Sequence, residues 1–201
     1  MSKADTDSTY YTLTQEKMAS ITLEKSKFIA WIFPAQNLSE IETKLAALKK
    51  EHAKANHICY AYKIGYSTQP QIFSTDDREP SGTAGLPIFN VLNQNALQDC
   101  GLAVIRYFGG IKLGVRGLID AYTAAANLAV KNAEIIQKTL MQSQTVKCDY
   151  AQFDYLCYLV EKHCGIISNQ QFLSEIECNI SFPKHIFQTA IELLYEKKII
   201  H

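Results

Sequence analysis

At 201 residues the chain can bury roughly 70% of its unfolded surface in one body, and its length permits one domain or two. Twenty Lys and Arg balance twenty Asp and Glu, and this neutrality excludes a global pull toward nucleic acid or anionic lipid, so any basic site must be a local patch. No apolar run approaches the ~18 residues of a bilayer span, and polar Met1 to Tyr11 lacks the order of a secretory signal, so a soluble cytoplasmic chain without membrane contact is expected.

Residues 1–15 are polar, which predicts a loosely held segment. Two apolar runs, Ile21/Leu23 and Phe28 to Phe33, flank Glu24-Lys25-Ser26-Lys27 and predict a hairpin ended by Pro34. Ser39 with Glu42 reads as a capping box, after which Ile41, Leu45 and Leu48 line one face of a helix to about Lys54. His57 to Ile64 alternates as a strand, with Ile58, Tyr60, Tyr62 and Ile64 on one face and His57, Cys59, Ala61 and Lys63 on the other. Leu86, Phe89 and Leu92 recur at helical spacing behind Pro87. Leu102 to Tyr107 is a short, continuous apolar run, the pattern of a buried strand. From Gly117 to about Ala133 a helix is marked by Leu118, Tyr122, Ala125 and Ala129.

Beyond Ala133 the periodicity lapses, and Gln137 to Gln144 is polar without glycine or proline. A domain boundary is expected near Lys138 to Ser143, dividing the chain into residues 1–138 and 143–201. The second part reads as a strand (Thr145 to Tyr150), a helix (Phe153 to His163), two strands (Ile166 to Leu173, Glu175 to Phe182), a helix (Pro183 to Lys197) and a last strand at Ile199-Ile200. That is the βαββαβ order of a ferredoxin-like domain, an architecture that hosts many functions.

Seven of the nine glycines lie between Asp76 and Tyr122, a stretch in which two glycine-punctuated segments, Asp76 to Gly85 and Tyr107 to Gly114, bracket the buried strand. Strand, glycine-rich turn and helix is an arrangement that presents backbone N–H groups and a positive helix end to an anion. It is no nucleotide signature: Val115-Arg116 stands where a phosphate loop needs lysine and a hydroxyl, and Gly109 and Gly110 are adjacent where a dinucleotide fingerprint separates them by one residue. The glycines serve either such contacts or tight turns alone.

Asp76 to Gly85, Pro87-Ile88, Arg106 to Gly114, Gly117-Leu118 and Ala121-Tyr122 together resemble the signature of the IMPACT/YigZ family. Ser26 to Ala30 and Ala55 to Tyr62 extend the resemblance over most of residues 20–130. Arg78 and Arg116 stand where that signature has glycine, and Asp120 where it commonly has arginine. The resemblance implies an α+β protein of two domains: an N-terminal α/β sandwich similar to a ribosomal-protein or elongation-factor domain, and a small ferredoxin-like C-terminal domain. It also implies a non-enzymatic role in regulating translation, with RNA, the ribosome or a protein of the translation machinery as partner.

Around the second loop, Arg78, Arg106, Lys112 and Arg116 beside Tyr107 and Phe108, with Gly109, Gly110 and Gly114, fit phosphate contacts plus base stacking, with no DNA-specific signal. Asp76, Asp77 and Glu79 argue against phosphate unless they pair with Arg78, Arg106 or Arg116. They are also the basis of an alternative reading, a small hydrolase using the acidic loop, but adjacent aspartates before Pro-Ser-Gly are equally what a turn prefers. His57, Ser81 and Thr83 are secondary candidates. His57 and Cys59 share a strand face ~6.5 Å apart with parallel side chains and no third group to orient them, so a buried thiol beside a hydrogen-bonded histidine is expected. Cys157 and Cys164 with His163 suggest zinc, yet the two thiols are ~10 Å apart along a helix. No metal, cofactor or disulfide is expected, and the six cysteines are read as core thiols.

Overall fold

A computed structural model of the chain describes residues 9–65 and 69–200. They fall into two compact units, one spanning Tyr10–Gln137 and the other running from Lys138 onward together with Thr9.

The larger unit is built on a five-stranded antiparallel sheet from β2 (Lys17–Leu23), β3 (Ser26–Pro34), β4 (His57–Ile64), β5 (Gln71–Thr75) and β6 (Cys100–Tyr107). Their order is β2-β3-β6-β4-β5, which puts β6 at the centre. A central strand covered on both faces has no solvent side, and Gly101 to Ile105 are accordingly all buried. Phe28, Ala30, Ile32, Cys59, Leu102 and Val104 project to one face, against helices α2 (Gly85–Gln94) and α3 (Gly114–Asn132). Trp31, Phe33, Ile58, Ile64, Ala103 and Ile105 project to the other, where Ile41, Leu45 and Leu48 of α1 (Leu38–Glu51) meet them.

Several boundaries differ from the sequence reading for local physical reasons. The segment expected to be loose contains β1 (Thr9–Leu13), which pairs with β7 (Ile135–Thr139) and buries Thr12 and Leu13; residues 1–8 lie outside the described residues. The cap of α1 is Asn37, not Ser39: its Oδ1 accepts from the Glu40 N–H at 3.0 Å, and Glu40 Oε2 accepts from the Gln36 N–H. In α2 the buried face is Ile88, Val91 and Leu92, while Leu86 is exposed. Helix α3 starts at Gly114, one turn before Gly117.

The smaller unit has β8 (Met141–Cys148), α4 (Tyr150–Lys162), β9 (Ile166–Phe172), β10 (Ile176–Pro183) and α5 (Phe187–Glu196). Its antiparallel sheet has the order β8-β10-β9, so the third strand lies between the first and second, as a ferredoxin-like connection requires. Ile199 and Ile200 form no strand; they are buried in the core with Val146, Leu156, Ile180 and Phe182. The two units divide inside β7, between Gln137 and Lys138, and between β7 and β8 stands the buried Leu140.

Candidate functional site

The register of the sheet assembles the site. Arg106 lies opposite His57 on one neighbouring strand and opposite Phe28 on the other, so the three share a face at the end of the sheet. Arg106 is only 5% exposed, which is costly for a guanidinium unless it is paired. Its Nη1 donates to Glu79 Oε1 at 2.6 Å, and the guanidinium sits 5.4 Å from the ring centres of both Phe28 and Phe108. Tyr122 donates its hydroxyl to the same Glu79 oxygen at 2.8 Å and packs edge-on against Phe28. Glu79 is therefore a buried counter-ion, and Arg106 is a floor residue rather than a surface phosphate clamp.

The first glycine segment is closed around its own carboxylates. Asp76 Oδ2 accepts from the Gly82 N–H at 2.9 Å, and Oδ1 accepts from the N–H groups of Ala84 and Gly85 at 2.8 Å each, at the start of α2. Burial raises the Asp76 pKa, but these three N–H bonds outweigh it and hold the carboxyl below its ordinary value. At this helix start and glycine turn the anion is supplied by the chain itself. Asp77 Oδ2 accepts from the Ile58 N–H at 2.7 Å, and the Asp77 carbonyl is 2.8 Å from His57 Nδ1. Thr83, 1% exposed, donates its hydroxyl to the Pro80 carbonyl, while Ser81 is exposed.

The second segment is pinned by residues for which the sequence reading gave no role. Asn56 Oδ1 accepts from the Phe108 N–H at 2.8 Å, and Ser26 Oγ accepts from the Gly109 N–H at 3.1 Å. A Cβ at Gly109 would overlap the carbonyl group of Lys25, which is why the loop can lie against the β2–β3 turn. Gly110 and Gly114 have φ of 88° and 70°. Tyr122 could have been anticipated, since a large buried phenol needs a partner; Ser26 and Asn56 carried no comparable signal.

What remains at the surface is a ring of cations and apolar side chains. Phe108 is 44% exposed, Ile111 38% and Val115 61%, with Lys112 and Arg116 on the same segment. Arg116 Nε lies 3.2 Å from Asp120 Oδ2 one helical turn on, so the two departures from the family signature pair with each other. Arg78, the third departure, has a left-handed φ of 71°, a conformation glycine adopts freely; its Nη2 donates to the Asn56 carbonyl, and its Nε is 3.5 Å from Asp77. Tyr107 instead turns to the opposite face of the sheet, its hydroxyl 2.9 Å from His52 Nδ1.

Behind this ring lies a cavity of about 480 Å³, lined by His57, Glu79, Arg106, Phe108, Lys112 and Val115 among others. Cys59 is not a nucleophile beside it: burial pushes its thiol up to about 12, and Sγ donates to the Asp76 carbonyl at 3.0 Å. Elsewhere, Cys59, Cys100, Cys148 and Cys178 are buried, Cys157 is half-buried, and Cys164 is exposed just past the end of α4, contrary to a core position. Among the described residues no three His, Cys, Asp or Glu side chains converge as metal ligands would, and no helix is long and apolar enough to cross a membrane.

Sheet, helices and loop-built site define an α+β protein of two units whose glycine segments form one shaped surface at the end of the central strand. The Impact N-terminal domain matches residues 24–130, which hold the four strands β3 to β6 of that sheet and both loops. The chain belongs to the IMPACT family. It is 38% identical to the IMPACT family member YvyE of Bacillus subtilis over 70% of this chain and 64% of that protein, short of two thirds of the relative's length. An IMPACT family member of Haemophilus influenzae is 33% identical over 87% of this chain and 85% of its own, and YigZ of Escherichia coli is 29% identical over 80% and 79%. A crystal structure of a hypothetical protein superposes with a TM-score of 0.71 at 25% identity, covering 95% of this chain and 94% of the other.

Proposed function

We propose that the chain is a non-enzymatic, cytoplasmic binding protein that regulates translation, and that it contacts RNA, free or on the ribosome, through the surface of Arg78, Phe108, Lys112 and Arg116. Membership of the IMPACT family supports the link to translation. One observation carries the choice of surface: exposed Phe108 stands among cations whose neighbouring carboxylates are already held by the chain. Stacking on an aromatic ring and pairing of phosphate with cations are the two interactions that bind single-stranded RNA. The hydrolase alternative would draw on the acidic loop, whose Asp76, Asp77 and Glu79 are each already bonded to backbone N–H groups or to Arg106.

The test replaces Arg78, Lys112 and Arg116 together by alanine and measures binding to single-stranded RNA against salt. At about 0.7 per phosphate contact, the slope of log affinity on log salt is expected to fall by about two. Co-sedimentation with ribosomal subunits should weaken in parallel. An unchanged slope and affinity in a folded variant would sink the RNA reading, and co-sedimentation surviving that loss would leave a protein partner in its place.

A further inference from the structure

The cavity behind Phe108 is more than a dent in the proposed RNA surface. Its volume of about 480 Å³ falls within the ~300–1,000 Å³ of small-molecule sites. Its walls are of two kinds. Pro80, Phe108, Leu113, Val115 and Leu118 offer apolar surface, while Asn56, His57, Glu79, Arg106 and Lys112 offer polar groups.

Two independent observations mark the polar side as unfinished. Arg106, 95% removed from solvent, has an Nε with no hydrogen-bond partner among the described residues, although a buried donor left unmade is costly. Helix α3, 19 residues long, begins at the cavity's Gly114 with Leu113 as its N-cap, and leucine has no side-chain acceptor to cap the first N–H groups. That end contrasts with α2, whose first N–H groups are taken by Asp76. Lys112 adds a cation beside it, and the one carboxylate in the cavity, Glu79, is neutralised by Arg106 at 2.6 Å and accepts from Tyr122 at 2.8 Å.

These walls discriminate between ligands. Inorganic phosphate would satisfy the helix end and Lys112 but leave the apolar walls unused, and a purely apolar ligand would leave the positive end bare. A flat ring with hydrogen-bonding edges, joined to a phosphate, meets both. We infer that this cavity binds one nucleotide, its base among Phe108, Leu113 and Val115 and its phosphate at Lys112 and the start of α3. Such a nucleotide comes either free from solution or as an unstacked residue of RNA, and the second source rests on the RNA-binding function proposed above.

Val115→Trp separates these cases, because Val115 lines the cavity, its 61% exposure leaves room for a larger side chain, and the substitution keeps the cations Arg78, Lys112 and Arg116. Adenosine 5′-monophosphate, adenosine and a single-stranded RNA hexamer are titrated into the natural chain and the variant. Expected are hexamer binding weakened at least tenfold by Val115→Trp with its salt slope retained, and adenosine binding more weakly than its monophosphate. Hexamer affinity and monophosphate affinity both unchanged in a variant with a native circular dichroism spectrum overturn the cavity while leaving RNA binding intact. Binding of the monophosphate but not the hexamer, abolished by Val115→Trp, supports a free nucleotide and overturns the RNA reading instead. No binding of any of the three probes overturns both.

Discussion

Asp76 shows how a single carboxylate can give a glycine-rich loop its shape. Three backbone N–H groups, two of them on the buried residues Ala84 and Gly85, converge on its two oxygens. Asp76→Asn leaves one acceptor oxygen and an amide that repels a donor, so the variant is expected to lose about 2 kcal/mol near pH 7. Because the folded pKa lies below the ordinary value of 3.8, the carboxylate's contribution is fully present above that value and disappears as pH falls through the folded one. Urea unfolding of both proteins from pH 7 to pH 2 should therefore show the gap between them closing in acid. A gap that stays constant across that range would mean that charge is irrelevant to the loop. None of this could be read from the sequence, where Asp76 was equally a hydrolase carboxylate or a turn residue; its partners lie six to nine positions away, outside any local capping pattern.

Among elements, the strands were legible wherever both faces or one face of the sheet imposed a pattern, as in β3, β4 and β6. Strand β5 was missed because it is an edge strand with Gln71 to Ser74 exposed, so no alternation separates its faces. The start of α3 was placed a turn late, since Gly114 and Arg116 are poor markers of a first turn and Leu118 is its first buried residue. Pairing of Arg106 with Glu79 was one of several possibilities in the sequence, and only the register that sets Arg106 across from His57 selects it. The second loop depends on another such meeting, between Gly109 and the two-residue turn of the β2–β3 hairpin, where Glu24 and Lys25 both have positive φ. Gly109→Ala must push that turn away and should cost about 1–3 kcal/mol. RNA affinity should fall with it, because Phe108 is held by the same segment; a variant of native stability would show that the turn yields easily.

At the scale of the whole chain, two separate buried clusters serve the two sides of the large sheet, and a third cluster serves the smaller unit. No buried residue of the smaller unit's cluster belongs to the other two. Calorimetry is expected to resolve two unfolding transitions. Arg106→Ala, which strands Glu79 in the interior of the larger unit, should lower that unit's transition by about 3–5 kcal/mol and leave the other in place. One transition with equal calorimetric and van't Hoff enthalpies would show instead that the units unfold together.

The central position of β6 has a consequence during synthesis. Strand β3 is complete at Pro34, yet the partner that covers its inner edge ends about 70 residues later, at Tyr107. At ~5–20 residues per second, a nascent chain carries β3, with its run Phe28 to Phe33, for roughly 4–14 s before that partner has been made. An unpaired apolar strand is a template for aggregation. The fold that builds a binding surface from distant segments thus leaves its most apolar hairpin waiting on the ribosome, where chaperones or rapid elongation would decide the yield of native protein.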